Sequence, residues 1–112
     1  MEIIPLLDRS TIIDTYEVID FREWENGIYY RIFPRIINNT ESHIREYIDE
    51  KERNYSYHWQ ENNGTLIIRW DNAPYHNQIK TYPHHKYLKQ KIFESKQVAP
   101  GDILNQIENK IS

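Results

Sequence analysis

Hydrophobic and polar residues alternate over the first two thirds of the chain, in the pattern of β-strands with one buried face. The segment from Ile12 to Trp24 begins this rhythm and reads IIDTYEVIDFREW. Four similar segments follow it, each the length of one strand: IYYRIFPRII, SHIREYID, NYSYHWQ and TLIIRWD. The alternation therefore predicts five β-strands, of which the last ends at Asp71.

Short polar segments join these predicted strands. Asn26-Gly27 and Asn63-Gly64 are strong hairpin signals, because both residue types tolerate a positive φ. NNTE and EKER supply the two turns between those hairpins. Since parallel strands need long crossover connections, the short turns predict an antiparallel meander.

The C-terminal segment changes to helical spacing. Ile103, Ile107 and Ile111 recur at every fourth position, and Asp102 stands near the start, where a carboxylate interacts favourably with a helix dipole. The single apolar stripe predicts a helix that covers one face of the sheet. With a short helix at residues 3–10, the predicted fold is α+β and forms one domain over residues 1–112. It is a five-stranded antiparallel meander with the C-terminal helix packed on one face and an irregular arm, rich in histidine and proline, after strand five.

The two hairpin signals also predict which residues share a face. If Asn63-Gly64 form the loop, the cross-strand pairs are His58 with Arg69, Tyr57 with Trp70, and Gln60 with Ile67. One face then has the character of a core and carries Tyr55, Tyr57, Trp59, Leu66, Ile68 and Trp70. The opposite face is polar and carries Ser56, His58, Arg69 and Asp71.

The first hairpin predicts a polar face with arginines. If Asn26-Gly27 form the loop, the predicted pairs are Arg22 with Arg31 and Val18 with Arg35. The face with the three arginines also holds Trp24 and Phe33. Arginines with interleaved aromatic rings suit a phosphate backbone and stacked bases. The alternative is an ordinary solvated sheet face. The NNTE turn does not fix the register of the third strand, so the face of Arg45 stays open.

Composition narrows the classes of protein that fit. The net charge is −3 at pH 7, so no overall basic field indicates nucleic-acid binding, although a local basic face remains compatible with it. The chain has no Cys, which excludes disulfides and thiolate chemistry. Because no basic leader with an apolar run and no long apolar segment is present, we expect a cytoplasmic protein that does not enter a membrane.

The segment from Arg69 to Tyr87, RWDNAPYHNQIKTYPHHKY, contains most of the side chains that could take part in catalysis. Histidine titrates near neutral pH, so two imidazoles that flank a phosphodiester can take a proton from the 2′-hydroxyl and protonate the leaving oxygen. A lysine or arginine beside them would stabilise charge on the phosphorane. This chemistry needs no metal and no other cofactor.

Two other interpretations of the segment stay open. A metal site could assemble from His58, Asp71, His76 and one of the His84–His85 pair, although no HExxH or His-x-His spacing is present. The residues could also be structural, with the prolines stiffening an irregular coil and the rings filling gaps beneath it.

Three elements of this region resemble the TumE family, toxins of prokaryotic type II toxin–antitoxin modules. The first comprises Tyr55, His58, Trp59 and Gln60; the second Arg69 to Pro74 with His76; the third Pro83, His84, His85 and Lys86. Tyr75, Tyr82 and Tyr87 depart from the family pattern, standing where His, Phe and His are usual. The changes at Tyr75 and Tyr87 indicate that these two positions are not indispensable acid–base groups.

The resemblance implies a toxin with a cognate helix-turn-helix antitoxin. The leading hypothesis is a metal-independent ribonuclease acting on RNA or translation, in which His58, His84 and His85 transfer protons, Asp71 orients one ring, and Arg69 and Lys86 contact the phosphate. Further substrate contacts are expected from Arg22, Arg31, Arg35, Asn72 and His76. The alternatives are a non-enzymatic, sheet-based inhibitory module and a metal-dependent His/Asp hydrolase. RNA is the expected target, and a homodimer is a further candidate assembly.

Overall fold

The computed structural model describes residues 3–111 as a seven-stranded antiparallel sheet with a helix at each end of the chain. The elements are α1 (Ile3–Arg9), β1 (Ile13–Trp24), β2 (Gly27–Ile36), β3 (Glu41–Ile48), β4 (Arg53–Gln60), β5 (Leu66–Asp71), β6 (His85–Leu88), β7 (Lys91–Glu94) and α2 (Pro100–Ile111). Neighbouring strands in the sheet follow one another along the chain. The α+β class, the antiparallel meander and the C-terminal helix are confirmed, whereas the prediction of five strands was wrong.

The two additional strands lie in the segment that was expected to be irregular. Residues 72–84 lack strands, and they are followed by the hairpin of β6 and β7. Its two loop residues, Lys89 and Gln90, have φ values of 53° and 65°. A hairpin turn with two positive φ angles usually contains Asn or Gly, so this sequence gave no turn signal.

The first hairpin differs from the predicted one by two positions. Trp24 pairs with Gly27, so Glu25 and Asn26 form the loop, and Arg22 lies opposite Tyr29 rather than Arg31. The shift is even, so Arg22 stays on its predicted face. Beyond an irregularity between Val18 and Asp20, however, Val18 lies opposite Ile32 rather than Arg35.

The second hairpin agrees with the prediction over most of its length. His58 lies opposite Arg69 and Tyr57 opposite Trp70, as expected. Gln60 lies opposite Leu66 rather than Ile67, because the register shifts after Trp59. Leu66 was predicted in the core but is 40% exposed, whereas the other five residues predicted for that face are buried: Tyr55, Tyr57, Trp59, Ile68 and Trp70.

Both helices lie on one face of the sheet, which we call the covered face. Their apolar side chains join the buried residues of the central strands in one core: Ile3 and Leu7 from α1, and Ile103, Leu104 and Ile107 from α2. The opposite face has no helix over it and is called the open face. Within residues 3–111, no helix combines the length and apolar character that a membrane crossing requires.

The covered face also holds a buried polar network. Glu46 is 3% exposed, and its carboxylate accepts hydrogen bonds from Arg53 Nε at 3.2 Å and from the Tyr57 hydroxyl at 2.5 Å. Arg53 in turn donates to the Val98 carbonyl, which precedes α2. The network therefore links the sheet to the segment that leads into the C-terminal helix.

Candidate functional site on the open face

Two transverse rows of side chains cross the open face at its centre. The first, which we call the ring row, follows the register from β2 to β6 through Phe33, His43, His58, Arg69 and Tyr87. The second, the charge row, is one pleat away and runs through Arg31, Arg45, Ser56, Asp71 and His85. Because successive residues of a strand point to opposite faces, residues two apart place both rows on the same side.

Three rings of the ring row stack on one another. The Phe33 and His43 centroids are 4.1 Å apart with an interplanar angle of 18°, and those of His43 and His58 are 5.5 Å apart at 24°. The Arg31 guanidinium lies 5.6 Å from the Phe33 centroid. The stack holds two half-buried imidazoles side by side on neighbouring strands and leaves their polar edges within reach of a ligand.

The hydrogen bonds of His58 indicate which of its nitrogens is available. Its Nε2 lies 2.9 Å from Gln60 Oε1, so Nε2–H donates to that amide oxygen. Nδ1 then carries the lone pair and is the nitrogen that can accept a proton.

Both stacked imidazoles have a lowered pKa. For His43 the main cause is burial, which outweighs the attraction of Glu41, and the Arg31 cation lowers the pKa further. For His58 burial is again the largest cause, with Gln60 opposing it and His43 and Arg69 adding to it. Lowered values favour the neutral form at neutral pH, which is the form that a general base needs.

Arg31 and Arg45 lie directly opposite each other on β2 and β3. Within residues 3–111 neither forms an ion pair, and the Arg45 guanidinium rests 5.8 Å from the Tyr29 centroid instead. Like charges placed directly opposite each other destabilise a sheet, so the arrangement is costly unless an anion lies between them. Both arginines line a shallow depression of about 190 Å³ together with Phe33, His43, Ser56, His58 and Arg69.

Arg69 and His85 are held by one carboxylate. Asp71 accepts from Arg69 Nε at 3.1 Å and from His85 Nε2 at 2.9 Å, and it also accepts the Ala73 backbone N–H. His85 Nδ1 lies 2.8 Å from the Pro83 carbonyl, so both ring nitrogens face acceptors. His85 is 1% exposed, so its contact with the open face is through the Asp71 carboxylate, which also holds Arg69.

The segment between β5 and β6 closes one end of the open face. His76 Nε2 lies 2.6 Å from the Tyr87 hydroxyl, and the His76 ring meets both His85 and Tyr87 edge to face. A second depression, of about 360 Å³, extends from Arg69 under Ala73 and Tyr75. Arg69 lines both depressions, so the two adjoin at this residue.

The structure brings together some of the predicted site residues and separates others. His58, Arg69, Asp71 and His85 meet on the open face, with Arg31 beside them. Arg22 is on the same face but is paired with Asp20 at 3.1 Å, and Arg35 lies further along β2, opposite Glu41.

His84 and Lys86 are separated from that cluster. His84 Nδ1 lies 2.7 Å from the Tyr55 hydroxyl on the covered face, and Lys86 pairs with Trp70 on the same side. The expected convergence of His58 with His84 and Lys86 is therefore not formed, because alternate residues leading into β6 face opposite ways. Asn72 uses its amide on the backbone of β4, accepting from Tyr55 N and donating to the Arg53 carbonyl.

A metal site was one of the open interpretations. In the part of the chain that the structure describes, no three His, Asp or Glu side chains are arranged as a group that could hold a metal ion.

The sequence interpretation missed His43 and did not place Arg45. Both lie on β3, whose register was left open. A signal was present, because Ile44 and Ile48 are the most apolar residues of their segment and share a face; once that face is assigned to the core, His43 and Arg45 lie on the opposite one. The buried Glu46 weakened that signal, since a charged residue is rarely expected on a core face.

Comparison with known families identifies the chain. A family model described as Toxin TumE matches residues 3–111. The chain belongs to the TumE toxin family. It is thus the toxin of a toxin–antitoxin module, and TumE membership implies an antitoxin partner. No curated protein and no solved structure gave a match.

Proposed function

We propose that this TumE toxin is a metal-independent ribonuclease that binds RNA on its open face. The observation that carries the proposal is the stacked His43–His58 pair beside two opposed arginines without ion-pair partners among residues 3–111. Paired imidazoles supply acid–base groups, and the arginines supply charge for a phosphate. A cytoplasmic location follows from this target.

The proposed reaction uses the two histidines in turn. His58 Nδ1 takes the proton of a ribose 2′-hydroxyl, and the 2′-oxygen attacks the adjacent phosphorus. The bond from phosphorus to the 5′-oxygen breaks, and His43 gives a proton to that leaving oxygen. The products are a 2′,3′-cyclic phosphate and a 5′-hydroxyl, so no water or cofactor enters the step.

A bound phosphate, held by the arginines, explains how a neutral histidine pair can also supply an acid. Arg31 and Arg45 are members of the charge row, one pleat from the two histidines, and Arg69 is held by Asp71 on the strand next to His58. A bound phosphate lies close to both imidazoles and raises the pKa of each, since a nearby negative charge favours the protonated form. One histidine then holds a proton while its neighbour accepts one.

The proposal includes a helix-turn-helix antitoxin, as the TumE resemblance implies, which neutralises the toxin by covering the open face. In this arrangement the arginines face an acidic surface of the antitoxin instead of RNA. The purified complex should therefore lose RNA cleavage that the free toxin shows.

Cleavage of a single-stranded RNA by purified protein, with EDTA present, tests the proposal. We expect the wild type to yield 2′,3′-cyclic phosphate ends, and His43→Ala and His58→Ala each to lower the rate by about 10²- to 10⁴-fold. His84→Ala is the matched control, because His84 lies on the covered face, and it should keep the rate within a few-fold. If the wild type is toxic but leaves RNA intact, the non-enzymatic inhibitory module is favoured. If EDTA abolishes cleavage, metal-dependent hydrolysis is favoured.

A further inference from the structure

The open face has a second aromatic cluster near the β1–β2 hairpin. Trp24 is 43% exposed, although Trp59 and Trp70 are 3% and 1% exposed. Its indole lies against Tyr47, with ring centroids 5.7 Å apart, and the Tyr47 hydroxyl donates to Asp49 at 2.7 Å. Tyr47 is on the same side of β3 as His43 and Arg45, so this cluster belongs to the open face.

Gly27 determines how the Trp24 indole lies. A Cβ atom at Gly27 would come within 2.5 Å of Cε2 and Cζ2 of the indole. Only a glycine therefore leaves room for the ring at this point of β2, and 43% of Trp24 stays exposed to solvent. An indole held flat by a glycine and braced by a tyrosine is already ordered before any ligand arrives.

A line of positive charge connects this cluster to the His43–His58 pair. Trp24 lies opposite Gly27, and Tyr29, Arg31 and Phe33 follow on alternate positions of β2. Gly27 and Phe33 are six residues apart, roughly 20 Å along a strand. Arg31 and Arg45 fall between the two ends, and Arg45 lies over Tyr29. The surface thus alternates rings and cations over a length that several nucleotides of an extended strand cover.

We propose that Trp24, resting on Gly27 and braced by Tyr47, is a base-stacking subsite for single-stranded RNA, several nucleotides from the bond cleaved at His43 and His58. This rests on the proposed function, because it assigns RNA to the same face. Exposed rings between cations are the arrangement that single-stranded nucleic acid uses, since every base has a π-face that stacks on an aromatic ring. A duplex keeps its bases inside the helix, where a flat indole cannot reach them.

Tryptophan fluorescence reads this subsite directly, because the other two tryptophans are buried. A His43→Ala/His58→Ala protein, which leaves RNA intact, is titrated with a single-stranded RNA decamer and with the same sequence as a duplex. We expect quenching by the single strand only. Adding Trp24→Phe should remove the quenching, and adding Trp24→Ala should weaken binding by about 10-fold or more, measured with labelled RNA.

Two further variants separate a stacking role from a structural one. Gly27→Ala pushes the indole off the strand without removing it, so it should weaken RNA binding as Trp24→Ala does while the far-ultraviolet circular dichroism stays unchanged. Phe21→Ala is the matched control, because Phe21 is on the same strand, is 39% exposed, and stacks on the buried Tyr30 of the covered face. It should bind RNA as the parent protein does.

The outcomes distinguish this subsite from the ribonuclease itself. If the wild type cleaves RNA and Trp24→Ala cleaves it with the same KM, the subsite is overturned and the ribonuclease stands. If single-stranded RNA quenches Trp24 but the wild type cleaves nothing, the subsite stands and the ribonuclease is overturned. If RNA leaves the fluorescence unchanged and the antitoxin quenches it, the cluster is a protein contact and the subsite is wrong.

Discussion

Arginine side chains on the two faces of the sheet differ in whether they have partners within the protein. On the covered face, Arg53 is largely buried, lies over the Tyr55 ring and donates to three acceptors: Glu46, the Tyr57 hydroxyl and the Val98 carbonyl. On the open face, Arg31 and Arg45 lie opposite each other, and within residues 3–111 neither forms an ion pair, since Asp20, opposite Arg31 on β1, is paired with Arg22. A charge that is satisfied inside the protein stabilises the fold, whereas one left unsatisfied costs stability. The second kind indicates a surface kept for an external anion.

Histidines show the same contrast. His84 on the covered side is held by the Tyr55 hydroxyl, and its ring stacks on Tyr55 at 5.8 Å. His43 and His58 on the open side stack on each other, and among the described residues Gln60 alone is hydrogen-bonded to one of the two rings. His58 and His84 each have one ring nitrogen in a hydrogen bond, so the difference lies in what surrounds them: His58 stacks on a second imidazole and lines a depression with Arg31, Arg45 and Arg69. This difference, rather than the number of histidines, separates a structural ring from a candidate acid or base.

The largest expected effect on stability is from breaking the covered-face network. Glu46→Ala removes the acceptor of Arg53 and Tyr57 and leaves a buried cation unpaired, so the free energy of unfolding should fall by about 3–5 kcal/mol. Glu41→Gln is the matched control, because Glu41 is half-buried on the same strand and faces the open side. Urea unfolding should place the control within about 0.5 kcal/mol of the wild type. Equal losses for both variants would mean that the two faces are not distinct.

A smaller effect on stability is expected from replacing Asp71, the carboxylate that binds Arg69 and His85 on the open face. Asp71→Asn removes the charge to which Arg69 and His85 donate; the amide oxygen can still accept from His85 and Ala73 at the Oδ1 position, so the acceptor of Arg69 at Oδ2 is lost. Unfolding should become easier by about 1–3 kcal/mol, and RNA cleavage should fall because Arg69 is released. Asp14→Asn, at an exposed position of β1, should change neither quantity. Unchanged cleavage by a folded Asp71→Asn protein would remove Arg69 from the site.

The smallest effect is on how stability depends on pH. Burial lowers the pKa of His43 and His58 in the folded protein below the value of 6.5 that applies when the chain is unfolded. Below about pH 6.5 the unfolded chain therefore binds more protons than the folded one, and stability is lost as the pH falls. Replacing both histidines with Phe should flatten the decline between pH 7 and pH 5 in thermal melts. A decline of unchanged slope would show that other groups cause it.

Much of the sheet could be predicted from the sequence, because a register error of two residues leaves every side chain on its correct face. The β1–β2 hairpin was placed two residues out of register, yet Arg22, Arg31 and Phe33 were assigned to the correct face. The β4–β5 pairing was right at His58 and Arg69, where Asn63-Gly64 marked the turn. The residues that β2, β4 and β5 contribute to the candidate site were therefore predicted on the correct face.

The rest of the candidate site could not be predicted, for two physical reasons. The turn at Lys89-Gln90 adopts positive φ angles without Asn or Gly, so the sequence did not indicate β6. Without that strand, His84 and His85 could not be assigned to the covered or the open face. The register of β3 depended on a buried Glu46, whose partner Arg53 is seven residues away and only meets it in the folded sheet. His43 therefore entered the site only once the structure was known.

The most direct test of the central claim, that the open face carries the toxin's activity, is an Arg31→Gln/Arg45→Gln double variant measured for both stability and activity. The change removes a repulsion and two cation–π contacts of similar size, so the free energy of unfolding should stay within about 1 kcal/mol of the wild type. Growth arrest on induction and RNA cleavage by the purified protein should both fall by 10-fold or more. A folded double variant that arrests growth as strongly as the wild type would contradict the account.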